Sequence, residues 1–285
     1  MRLTEENTGT DARSALRGMV SFFTLWHLDI TQRDMDSMEE RFHMVPLVGM
    51  IFGVIITIEV ALLSLLAKNL GMGSGLLNAV TILLTVYVGS KFIHFDGLTD
   101  FGDGMIVSGQ KEDHVRALKD TLVGAGGIGV ALLVTLTSVA MYSLGGYVAL
   151  MLVAPLTEIL VKNAMVFAAA YGEPGNGMAG RQVSMTTMSS GVRSVVICII
   201  CCVVLSVIAA AFNSLIWDTY FTDTLFTGVL ITVIGLVVSI VVGNVMATTA
   251  NRNFGMVNGD ILGATNEISR PALMFLMLLA FALIW

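Results

Sequence analysis

Apolar runs long enough to cross a bilayer recur along this chain, at roughly 45–67, 76–95, 122–143, 147–170, 194–213, 224–248 and 262–285. A helix that crosses ~30 Å of hydrocarbon needs about 20 mostly apolar residues. The stretch "PALMFLMLLAFALIW" in the last run is too short alone, so it must borrow from the preceding "ILGATNEIS" or enter at a tilt. Irregular backbone cannot face lipid, and no segment alternates as a barrel strand does. The expected fold class is therefore all-α: a polytopic membrane helical bundle with about seven transmembrane helices. Composition agrees, with 55% hydrophobic residues and only 13% charged ones; soluble domains carry about 25%.

Residues 1–44 are expected to form an N-terminal cytoplasmic or interfacial segment, and 45–285 the transmembrane domain. The N-terminus is polar, with Glu5, Glu6 and Asp11, and does not read as a signal peptide. Within it, "ALRGMVSFFTLWHLDI" gathers Phe22, Phe23, Leu25 and Trp26. That pattern suits an amphipathic interfacial helix or a short re-entrant one. Cys198, Cys201 and Cys202 lie inside one apolar run with no polar ligand beside them, so they read as small packing residues. The net charge of −6 comes without any Lys/Arg stripe, so no nucleic-acid partner is expected.

Charge asymmetry orients the bundle. With the N-terminus inside and seven spans, the basic residues from Arg2 to Arg41, from Lys111 to Lys119, and Arg181, Arg193, Arg252 and Arg270 all fall inside. Lys91 and Lys162 sit in the last turns of spans that exit to the same side, and Lys68 alone falls in an outside loop. The polar loops 96–121, 171–193 and 249–261 then share the cytoplasmic face of a multi-pass cell-membrane protein.

On that face stands "KFIHFDGLTDFGDGM". Asp96, Asp100 and Asp103 are spaced i, i+4 and i+7, which places them within an arc of about 60° on one helix. Carboxylates so close repel one another. Oxygen ligands suit a hard divalent cation, Mg²⁺ or Mn²⁺, and Mg²⁺ commonly shares its shell with substrate phosphates. The glycines between the aspartates leave a bare helix side that a phosphate or another backbone can approach. The plainer reading is a solvated acidic helix end. Acids favour helix N-termini, however, and these are expected to follow the C-terminal end of an apolar span. Ion pairs with Lys91, Lys111 or Arg116 are a second plain reading.

Asp120 precedes the small-residue run Gly124–Gly127 and could complete a metal cluster; alone it reads as an acidic residue at a helix start. Asp260 and Glu267 are seven apart, one face if helical, and Glu267 would enter an apolar helix. Arg252 stands nearby. Arg181 lies in the glycine-rich "YGEPGNGMAGRQVS", which reads either as a surface loop or as a segment able to fold over an anionic substrate. His94 is read as a hydrogen-bonding partner of an aspartate or phosphate. Two function classes fit: a Mg²⁺-dependent phosphoryl-group transferase, and a cation-coupled transporter. Carboxylates gathered at one face, without a repeated half, favour the transferase.

Four ordered motifs carry a resemblance. "HFDGLTDFGDGM", "RFHMVPLVGMIFG", "ALKDTLVGAGGIGV" and "FGMVNGDILGATNEI" resemble signatures of the cobalamin synthase family, the adenosylcobinamide-GDP ribazoletransferases. The resemblance implies a Mg²⁺-dependent membrane enzyme. In that reaction α-ribazole, or its 5′-phosphate, attacks the phosphate of adenosylcobinamide-GDP and GMP leaves. It places Asp96, Asp100 and Asp103 in the family's acidic cluster, Asp120 in its Lys-Asp-Ser segment, and Asp260 and Glu267 at its C-terminal acids. His94 joins the catalytic set, and Lys91, Lys119, Arg41, Arg181 and Arg252 are the expected substrate contacts beside Asp260 and Glu267. The chain departs from the family pattern at "FFTLWHLDI" and at "APLTEILVKN", where Glu158 and Lys162 stand near a usual arginine. The CDP-alcohol phosphatidyltransferases offer a parallel of chemistry only, since their Ala-Arg and aspartate spacing are missing.

Overall fold

The computed structural model describes residues 9–285, so Arg2, Glu5 and Glu6 lie outside the described residues. Among these residues the chain forms twelve α-helices. Six of them are long and apolar enough to cross a membrane: α3 (Pro46–Leu70), α7 (Ala125–Leu144), α8 (Tyr147–Tyr171), α10 (Met188–Trp217), α11 (Phe221–Asn253) and α12 (Gly259–Ile284). The seventh candidate is a bent pair, α4 (Gly75–Gly89) and α5 (Ile93–Ile106), which meet at 92°. The final span does borrow from "ILGATNEIS", as its composition requires.

The bundle is built around α8, whose residues Ala149 to Ala169 are all buried. A helix apolar on every side belongs in a core. Polar pins fix its neighbours. Asn163 on α8 accepts a hydrogen bond from Ser194 on α10 at 2.6 Å and donates one to Ser239 on α11 at 2.9 Å.

The second apolar run does not continue to residue 95. It stops at Gly89, because Lys91 and Phe92 take the left-handed conformation (φ 56° and 57°). This is strained for residues with side chains, at about 1–2 kcal/mol each. The turn is held by the Phe92 N–H donating to Tyr87 O at 2.8 Å and by Lys91 Nζ donating to Ser21 O at 3.0 Å. The aspartates consequently do not trail an apolar span. They ride on a separate helix, with Asp96 in its first turn, where the helix dipole favours an acid.

The N-terminal segment forms α1 (Ala12–Phe23), capped by Asp11, and α2 (Gln32–Glu40), capped by Thr31. Met19, Phe23 and Met38 join one apolar cluster with Leu98 and Met165, so this segment shares a core with the bundle. Leu25 and Trp26 lie past the end of α1 and are exposed. Short helices α6 (Lys111–Leu118) and α9 (Gly177–Met185) complete the same end.

The glycines of α5 admit helices. A Cβ on Gly97 would lie 2.7 Å from the Asp260 carbonyl oxygen, and one on Gly263 would lie 3.2 Å from His94. Gly97→Val is therefore expected to cost about 1–3 kcal/mol by overpacking, read as a lowered thermal midpoint in detergent. An unchanged midpoint would contradict this close crossing of α5 and α12.

Candidate active site

The three polar segments converge at one end of the bundle. Phe101 packs on Phe254 with ring centroids 5.8 Å apart. Lys111 Nζ donates to Asn251 O at 3.1 Å. Pro174 bridges Val257, whose N–H donates to Glu173 O at 2.7 Å. Loops far apart in sequence thus close around α5.

Asp100 is half-buried, and the carboxylates that press on it are Asp260, Asp96 and Asp103. The structure thereby brings the α12 acid to the α5 aspartates. Asp96 is exposed. Asp103 has a second engagement: its two oxygens accept the N–H groups of Gly124 at 2.6 Å and Gly127 at 2.7 Å. Those amides open α7 and have no partner inside the helix. The small residues there are required, since a Cβ on Gly127 would lie 2.8 Å from Asp103 Oδ2. Asp120 is exposed in the loop between α6 and α7, where Oδ1 accepts from the Leu122 N–H at 3.0 Å.

Cations near the cluster are otherwise occupied or loosely placed. Arg116 pairs with Asp113 and Lys111 with a carbonyl, so neither neutralises the α5 aspartates. Lys119 is exposed and within electrostatic reach of Asp260. Arg181 is drawn to α2, 3.0 Å from Glu39 and 3.5 Å from Asp36. Burial pushes the Glu39 carboxyl up, and Arg181 opposes that rise. Arg41 donates to Thr10 O at 3.2 Å. Arg252 is exposed in the last turn of α11.

The fit to a divalent cation rests on the donor set. Among the described residues no three His, Cys, Asp or Glu side chains converge to hold a metal ion. A crowded, oxygen-only set with open sides instead suits Mg²⁺, which is commonly held by one or two carboxylates and completed by water and phosphate.

Asp96 separates two cavities. One is an open space of about 500 Å³ bordered by Ser21, His27, Met35 and Lys91. The other is a slot of about 160 Å³ between α1, α5, α8, α9 and α12, with Asp260 and His94 also on its walls. His94 is buried, stacked on Phe23 with ring centroids 5.6 Å apart. It accepts a hydrogen bond at Nε2 from Lys162 Nζ at 2.7 Å.

Lys162 begins a chain of contacts that sequence reading missed. Its ammonium also donates to Asn266 Oδ1 at 2.7 Å, and Asn266 donates to Glu267 at 2.9 Å. Glu267 pairs with Arg270, which also meets Glu158 through Nε at 2.8 Å and Nη2 at 3.2 Å. All are buried. Lys162 and Arg270 therefore lie deep in α8 and α12, not at the span end and loop expected from the charge count. Glu267 faces this network, two turns beyond Asp260. The available signal was charge inside apolar runs: Glu158 and Lys162 at i, i+4, and Glu267 and Arg270 at i, i+3.

Arg270→Met leaves two buried carboxylates without their shared cation. The expected loss is about 3–5 kcal/mol, read as a lower denaturation midpoint in mixed micelles. A variant as stable as its parent would refute the triad.

Comparisons with known proteins agree with the geometry. A family model described as cobalamin-5-phosphate synthase matches residues 15–279. An adenosylcobinamide-GDP ribazoletransferase of Methanococcoides burtonii is 28% identical over 277 residues, covering 93% of this chain and 92% of the relative. Its namesake in Methanocella arvoryzae is 28% identical, covering 93% and 95%. One from Thermococcus onnurineus is 29% identical over 72% of this chain and 77% of its own length. No solved structure matches.

Proposed function

The chain belongs to the cobalamin-5-phosphate synthase family, and from that premise we propose that it is an adenosylcobinamide-GDP ribazoletransferase. It joins α-ribazole, or its 5′-phosphate, to adenosylcobinamide-GDP and releases GMP. The observation that carries this reading is the cluster of Asp96, Asp100, Asp103 and Asp260, which has no ion-pair partner among the described residues.

The proposed cofactor is Mg²⁺, with Mn²⁺ as substitute, and when bound it would offset negative charge on the phosphate under attack. Asp96 and Asp100 would hold it, with Asp260 from α12 beside them; Asp103, whose oxygens are engaged by backbone amides, and Asp120, in the loop before α7, would border the ion. Asp103 also fixes the start of α7 against α5. Lys119 and Lys91 flank the acids and meet the diphosphate of the activated corrinoid, with Arg252 at the same end. Arg41 and Arg181 act through the fold of α1, α2 and α9. His94, tied to Lys162, sets the first turn of α5 and so the direction of Asp96. The attacking hydroxyl is positioned for in-line displacement. The open cavity beside Asp96 has room for a large corrinoid edge, and the slot has room for a small flat group.

The site opens to the cytoplasm of a cell-membrane protein, where a soluble nucleoside can meet a membrane-associated phosphate ester. The basic residues at this end support that orientation. A transporter or phosphatidyltransferase reading has no comparable support.

In membranes supplied with Mg²⁺, Asp100→Asn is expected to lower GMP release from adenosylcobinamide-GDP by about a hundredfold or more while the protein still inserts. Near-normal turnover would remove the acidic cluster from the reaction. For orientation, a lone cysteine at Ser108, with the three natural cysteines replaced, is expected to react in intact cells with permeant maleimide only. Labelling by an impermeant reagent would invert the topology.

A further inference from the structure

The 160 Å³ slot has a chemical character of its own. Phe22, Phe23, Met165, Met178 and Leu262 make its walls apolar and polarizable. Phe22 and Phe23 meet edge to face, with centroids 4.9 Å apart. His94, Asp96, Asp260 and Gln182 interrupt this lining, and of these Gln182 alone has a buried polar atom without a partner. Gln182 on α9 is 4% exposed, and its Nε2 is buried without a hydrogen-bond partner. A buried donor left unpaired is costly, and native proteins rarely keep one without a use. Asp96 and Asp260 stand at the same slot.

We propose that this slot seats the aromatic base of the attacking nucleoside, with Gln182 Nε2 donating to the base's unsubstituted ring nitrogen. This rests on the reading above that a ribazole-type nucleoside is the substrate. A benzimidazole has apolar edges, a flat face for Phe22 and Phe23, and one acceptor nitrogen. Those three features match the walls and the single free donor. A corrin ring is far too large for 160 Å³. A base in the slot leaves its ribose beside Asp96 and Asp260, where the displacement occurs. Arg181, one residue before Gln182, ties α9 to Glu39 and Asp36 of α2 and keeps the amide over the slot.

The test compares benzimidazole riboside with indole riboside, in which C–H replaces the acceptor nitrogen. Binding to purified protein is read by equilibrium dialysis, and KM values are read alongside. Gln182→Leu is expected to weaken benzimidazole riboside binding about tenfold. Indole riboside binding and the KM for the GDP-activated corrinoid stay unchanged. Met178→Trp, which fills the slot, abolishes binding of both ribosides. Equal weakening of both ribosides by Gln182→Leu, no change in either, or an effect confined to the GDP-activated corrinoid overturns the proposal. If Gln182→Leu does not fold, Gln182→Glu replaces donor by acceptor at the same size and is judged by the same ratio. Wild-type protein that forms no cobalamin product, yet binds the riboside in a Gln182-dependent way, defeats the reaction reading and supports the slot.

Discussion

An ionised group with no water around it must find its counter-charge within the protein. This bundle meets that demand at its axis. Glu158 and Glu267 share Arg270, and Lys162 is satisfied by His94 and Asn266. Two anions and two cations balance, so the cluster adds no net charge to the core. Its members come from α5, α8 and α12. The same contacts that neutralise the charges therefore fix the helix carrying Asp96 and Asp100 to the central helix of the fold.

The carboxylates at the polar end are treated in the opposite way. Asp96 and Asp100 receive no guanidinium or ammonium, although Lys111 and Arg116 lie close in sequence. Asp103 receives backbone amides, which orient its carboxylate without cancelling the cluster's charge. One chain thus contains neutralised acids that build the scaffold and crowded acids that no side-chain cation neutralises. That division separates positioning from chemistry more clearly than distance along the chain does, since Asp260 and Glu267 are only two helical turns apart.

Apolar length alone gave the class of fold and six of the spans, because hydrocarbon thickness is a strict ruler. It did not show the elbow after Gly89. Residues 90–95 keep Phe92, Ile93 and Phe95 among polar neighbours, so the apolar run reads on through them, and the left-handed pair Lys91–Phe92 ends the helix there. Neither residue is a glycine, so composition carried no warning. The spacing of Asp96, Asp100 and Asp103 identified a carboxylate face, but the partner acid Asp260 required knowing that α12 crosses α5. The glycines were legible as sites of close approach, and the approaching groups proved to be helices. Gln182 gave no signal at all, since an amide in a polar segment looks ordinary until its surroundings are known. Counting positive charge placed Lys162 and Arg270 at the membrane edge, because that rule treats every cation as solvated.

The complete burial of α8 has a mechanical consequence. Bilayers differ in thickness, and lipid-facing helices respond by tilting. From Ala149 to Ala169, α8 has no lipid-facing side on which that adjustment can act. The outer ring can lean while the axle keeps its register with His94 and Arg270. The polar end that carries the acidic cluster is thereby insulated from the membrane in which the protein sits, much as a bearing isolates a shaft from its housing.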